Sequence, residues 1–305
     1  MYTVAGLAAR LISIITLAAA CGTVQGQVDF TGNWASLYHE DMPERLPGPE
    51  LGDSSGIPVN AAARLRGDSY DAGRISAVTE YQCRPHGGDY SMRGLSNMRV
   101  EQVLDPFSQR LVAIKTRMNF QDMQRTIWLD GREHPDDLAP HTWQGFSTGT
   151  WDANMLNVYT THLKQNYLRR NGLPRSDKAT FTEHWVRHGD YLTVTTVIRD
   201  PAFLTEPLVR SQSWVLDPGQ QLGRATCEYL VEFPTEALVP HILPGENPYM
   251  NLVPDWYGLP MDGVRGGAET IYPEYIEQIV RPENIPQQCD RYCTCGVNNG
   301  PCELR

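Results

Sequence analysis

TFTEHWVRH (180–188) and YLTVTTVIR (191–199) are separated only by Gly189-Asp190. No other stretch limits the fold as tightly. Both runs alternate and are dense in β-branched and aromatic residues, and a two-residue Gly-x connection suits a II′-like hairpin turn. The pairing puts His188 opposite Tyr191. It gathers Phe181, Trp185, Leu192, Val194 and Ile198 on one face, with Glu183, Arg187 and Thr196 among them. Thr182, His184, Val186, His188, Tyr191, Thr193 and Thr195 line the other.

The same geometry disposes of a metal reading of His184 and His188. Four residues along a strand span roughly 13 Å at about 3.3 Å per residue, whereas two zinc-bound imidazoles must each come within about 2 Å of one ion. No metal ligands are assigned. Glu183 is left as an inward carboxylate among apolar neighbours, which costs several kcal/mol unless it is paired. It either finds a cation, Arg187 or Arg125, or faces a ligand as an acid of perturbed affinity.

Further segments repeat the pattern: residues 98–105, 109–119, 124–131, 146–151, 155–163, 206–217 and 221–233, with an opening strand at 28–37. GNW at 32–34 is similar to the Gly-x-Trp that opens lipocalins. The prediction is a mainly β fold, an antiparallel up-and-down meander of nine or ten strands. Such a meander leaves least exposed edge as a lipocalin-like barrel or a strongly bent sheet. Short helices are expected at NAAARLRG and around PEYIEQIV.

Residues 1–26 are expected to be a signal peptide, because LISIITLAAA (11–20) is an apolar run too short to span a bilayer. A lipid anchor on Cys21 is the competing reading. Residues 27–240 then form the barrel-like domain, and 241–305 a proline-rich irregular extension ending in a cysteine cluster. The chain is acidic, with net charge −10, so nucleic acid is excluded as a sequence-wide electrostatic partner. Beyond Cys21 lie Cys83, Cys227, Cys289, Cys293, Cys295 and Cys302. In an exported chain, periplasmic or extracellular, these read as up to three disulfides, with the tail tied to Cys83 or Cys227. The spacing does not match the paired arms of a zinc ribbon.

A broader resemblance covers residues 98–215. Asp130 to Pro135 (DGREHP), Gly149 to Trp151 (GTW), Gly172 to Asp177 (GLPRSD) and Asp200-Pro201 resemble the motifs of a function-unassigned family of exported bacterial proteins. The resemblance implies export and fold and supplies no reaction. Many members have His at the position of Phe146.

The chemistry-bearing candidates follow from residue type. His134 shares the DGREHPDD loop with Asp130, Arg132 and Asp137, and a histidine beside carboxylates suits acid–base work. His162 closes a strand and is expected at a barrel mouth. Asp177 follows Ser176 in RSD, with no G-x-S-x-G elbow to make that serine a nucleophile. Trp128, Trp151, Tyr159 and Trp185 supply aromatic walls for a pocket, and Arg132 an anion anchor. No phosphate loop or dinucleotide fingerprint is present, and no cofactor is implied. The leading expectation is a binding protein that holds a small, partly apolar molecule inside the barrel. The alternative is a cofactor-independent hydrolase, lyase or isomerase using His134, His162, Glu183 and Asp177 around the same cavity. A surface-interaction role for the cysteine tail ranks third.

Overall fold

A computed structural model describes residues 27–37, 51–71, 82–92, 96–119, 121, 123–223, 226–229 and 241–279. The expected signal segment and the four tail cysteines lie outside these residues. Nine strands close into a barrel: β1 (Gly32–Ser36), β2 (Met98–Leu104), β3 (Leu111–Met118), β4 (Met123–Trp128), β5 (Phe146–Asp152), β6 (Met155–Thr161), β9 (Thr180–His188), β10 (Tyr191–Arg199) and β11 (Leu208–Leu216). β7 (Asn166–Tyr167) and β8 (Pro174–Arg175) form a separate two-stranded ribbon. The β9–β10 hairpin has the expected register, with His188 opposite Tyr191 and Glu183 opposite Thr196. Gly189 supplies the positive φ, +59°, that the first position of a II′ turn requires.

Two expectations are corrected. The first concerns direction. A closed ring with an odd number of strands cannot reverse direction at every neighbour, and here β4 and β5 run parallel, pairing Ile127 with Ser147. Their connection, residues 129–145, therefore returns along the barrel instead of turning tightly. The second concerns 221–233. Residues 221–223 and 226–229 are not strand. The edge of β11 is taken by β1, with Trp34 opposite Leu216 and also opposite Met98 of β2. Asp217 N–H donates to the Asn33 carbonyl and the Asn33 amide donates to Gln220 O, which lead the chain off the sheet after Pro218-Gly219. Cys227 is bonded to Cys83, so neither cysteine is available to tie the tail.

The barrel is filled by its inward row. Trp34, Met98, Ile127, Leu156, Val158, Trp185, Leu192 and Trp214 are all fully buried. Phe30, ahead of β1, covers one end. The other end is covered by a second apolar cluster, in which Ile57, Val59, Ala63, Leu168 and Leu173 meet Phe181, Ile198 and Leu208 from the ends of β9, β10 and β11. Helix α1 (Ala61–Asp68), started by Asn60 accepting from Ala63 N–H at 2.9 Å, belongs to this cap. So does the short α2 (Gly88–Ser91), placed next to Phe181 through Gly88.

The described part of the extension is more ordered than its prolines suggest. Residues 241–279 form α3 (Leu252–Tyr257), α4 (Met261–Val264), a 3-10 turn (Ala268–Ile271) and α5 (Pro273–Gln278), of which only the last was expected. Pro260 and Pro273 stand at helix starts, where a missing N–H costs nothing. Ser54 N–H donates to Val264 O, Gly56 N–H to Gly267 O and Ile242 N–H to Ser69 O, so this segment packs onto the cap.

Candidate functional site

The four acid–base candidates do not share one barrel mouth. Glu183 points inward and is fully buried, and its partner is Arg125 of β4. The guanidinium makes a two-pronged contact: Nη1 donates to Oε1 at 3.0 Å and Nη2 to Oε2. Nε donates to Ser147 Oγ at 2.9 Å and Nη2 to Thr160 Oγ1 at 2.7 Å. Each charged group thus gains the fixed partners that burial demands. Arg187, the other cation considered, instead reaches the backbone oxygens of Gly189 and Asp29 at the barrel rim.

His134 and His162 do meet, but on the outside. The 129–145 connection crosses the outer face of β5 and β6, where Thr148 and Thr161 point away from their buried neighbours Ser147 and Thr160. His134 Nε2 lies 2.9 Å from Thr148 Oγ1, and Nδ1 lies 2.7 Å from Thr161 Oγ1. The same Thr161 oxygen lies 2.7 Å from His162 Nδ1, and His162 Nε2 lies 2.8 Å from the Asp136 carbonyl. The carbonyl can only accept, so His162 Nε2 carries hydrogen. With both rings neutral the chain runs one way: Thr148 O–H to His134, His134 Nδ1–H to Thr161, Thr161 O–H to His162, His162 N–H to Asp136 O. His162 turns the chain at φ +57°, which places its ring under the loop. Phe146 and Tyr159 pack on the His134 ring at 5.1 Å each. Partial burial, then the neighbouring His162, lowers the proton affinity of His134 below that of an ordinary histidine.

The remaining candidates scatter. Asp177 is exposed, and it is Asp200 that receives Ser176, from the hydroxyl at 2.6 Å and from the backbone N–H at 2.6 Å. Arg132 stacks on Trp128 at 3.4 Å on the exterior and is paired with Asp130, which holds that carboxyl below the usual carboxylate range. Trp128 and Tyr159 are therefore outer-face residues. Trp151 and Trp185 face inward, with Phe30 stacked on the first at 5.5 Å and edge-on to the second at 6.0 Å. His184 is held by Asn157 Oδ1 at 2.6 Å.

Two features were not read from the sequence. Asp89 and Arg175 form a fully buried ion pair at 3.4 Å, which fastens α2 to the β8 segment over the barrel end. The other feature is a cavity of about 180 Å³ between residues 53–55 and the α3–α5 region. Val253, Leu259, Val264 and Ile279 give it an apolar side, and Asp53, Ser55 and Thr270 a polar one. Asp53 Oδ1 accepts from Ser55 N–H at 3.0 Å and from its hydroxyl at 2.6 Å, and the Thr270 hydroxyl is bonded to Gly267 O and Gly56 N–H. No family model, curated protein or solved structure matches this chain.

Proposed function

We propose that this chain is an exported protein that binds a small, partly apolar molecule, and that the barrel serves as the rigid support for the site. The cavity at the cap is the observation that carries this reading. Ligand sites are typically concave, mostly apolar and edged by a few placed polar groups. At about 180 Å³ it has the capacity for one ring or a short chain, since an apolar cavity of roughly 150 Å³ holds benzene. Asp53, Ser55 and Thr270 favour a molecule with a hydroxyl or amine at one end. Export is supported by the apolar run at 11–20 and by the Cys83–Cys227 disulfide, a bond that persists in oxidising compartments. Membership of the exported bacterial family belongs to the same proposal, with a lipid anchor on Cys21 as the alternative to removal of residues 1–26.

Benzyl alcohol, a ring with one hydroxyl, is a suitable first probe. It should raise the melting temperature of the wild-type chain saturably, by mass action on the native state. Leu259→Trp, a substitution at the half-exposed rim, should abolish the shift while leaving the unliganded melting temperature near wild type. A wild-type chain that does not respond, or a variant that responds equally, would overturn the assignment.

The catalytic alternative draws on the His134–Thr161–His162 chain alone, because Glu183 and Asp177 lie elsewhere. An activity found on a screened substrate that survives His134→Ala would remove it.

A further inference from the structure

The apolar end of the barrel contains four tryptophans with unequal hydrogen bonding. Trp34 donates its indole N–H to the Phe30 carbonyl at 3.0 Å. The indole nitrogens of Trp151, Trp185 and Trp214 are buried and have no acceptor among the described residues. The register sets them on alternate strands near one end: Trp151 is opposite Leu156, Leu156 is opposite Trp185, and Trp214 is opposite Leu192, two residues from the partner of Trp185. Trp185 and Trp214 are fully buried. A buried donor left unpaired costs about 1–3 kcal/mol, and three such donors on β5, β9 and β11 of one barrel are more than packing alone requires.

Between two of these rings lies Phe30. It precedes the first strand, is nearly parallel to Trp151 at an interplanar angle of 7°, and is edge-on to Trp185. Its segment is fixed through backbone atoms: Trp34 grips the Phe30 carbonyl and Arg187 grips the Asp29 carbonyl. The Phe30 ring can therefore be altered without removing either anchor.

We propose that this end of the barrel is a second binding site, for a planar aromatic molecule carrying an oxygen acceptor, and that the Phe30 ring holds its place. The ring of such a molecule takes the stacked position between Trp151 and Trp185, and its oxygen accepts from one or more of the three idle indole groups. This site is separate from the cap cavity, so either can fail without the other.

The test uses the full chain carrying Phe30→Ala, titrated with acetophenone, a ring with a carbonyl, and with toluene, a ring without one. Binding is read from tryptophan emission, and from the indole resonances of ¹⁵N-labelled tryptophan. Acetophenone should bind about tenfold tighter than toluene, the value of one satisfied hydrogen bond. It should also move the resonance of Trp151, Trp185 or Trp214 downfield and leave Trp34, already bonded, as the internal reference. Equal affinities would reduce the site to an apolar void, and absence of binding would overturn it outright. Phe30→Leu, which removes the ring but keeps an apolar plug, makes the same comparison if the alanine variant does not fold.

Discussion

Arg125 directs four hydrogen bonds into the barrel interior, two of them to Glu183. A pair of this kind is worth little net against an apolar replacement but is expensive to break, because the surviving charge has no water to turn to. Glu183→Leu alone should cost about 3–5 kcal/mol. Arg125→Met combined with Glu183→Leu should recover most of that loss, and the double-mutant cycle in urea should show strong coupling. Additive losses would mean that the two side chains act independently. From sequence, Glu183 was readable as an inward acid, because the hairpin period fixes its face. Its partner was open between Arg187 and Arg125, since the choice depends on which strand closes across the barrel.

The element with the most consequence is the connection 129–145. Its docking rests on His134 accepting from Thr148 and donating to Thr161, an arrangement that needs a neutral ring. The folded chain holds His134 with a proton affinity below the ordinary value of 6.5, so the unfolded chain binds the extra proton first as pH falls. The stabilisation is therefore fully present above about pH 6.5 and is lost as pH drops through the lower, folded-state value. Hydrogen exchange across 129–145 should speed up between pH 7.5 and pH 5 while the strands stay protected. Unchanged exchange would disconnect loop docking from His134, and His134→Asn should remove the pH dependence. His134 and His162 were expected around one cavity; their meeting on the outer wall was not legible in advance. Both histidines were picked out by residue type, but nothing local to residues 129–145 records that the connection runs along the outer wall. The strand expected at 221–233 is missing from its described residues, 221–223 and 226–229, for a related reason. It has strand-like composition, but the edge it needed is taken by β1, from the opposite end of the described barrel sequence, which no local pattern records.

At the scale of the molecule, the disulfide joins Cys83 to Cys227 across 144 residues, a loop that encloses most of the barrel. Reduction should lower stability by about 2–5 kcal/mol, chiefly by freeing the unfolded chain. It should also expose residues 82–92, which carry Asp89, to protease before the strands unfold. A reduced chain with the melting temperature of the oxidised one would show that the bond adds no constraint. The overall class was readable because alternation and turn residues agree along most of 98–217. The cap cavity was not, because its walls come from 53–55 and 253–279, segments with no periodicity that meet only after the barrel exists.

The seam of the barrel is where β1 meets β11, with Ala35 opposite Val215. That pairing joins the first strand to the last among the described residues. A ribosome delivers β1 well before β11, and loop-closure entropy makes so distant a contact slow to form. Until Leu208–Leu216 has emerged, Gly32–Ser36 has no neighbour on one side, and the tryptophan-lined end has no wall at Trp214. Closure of the barrel therefore waits for β11: a chain cut short before it retains two open sheet edges and is predisposed to aggregate.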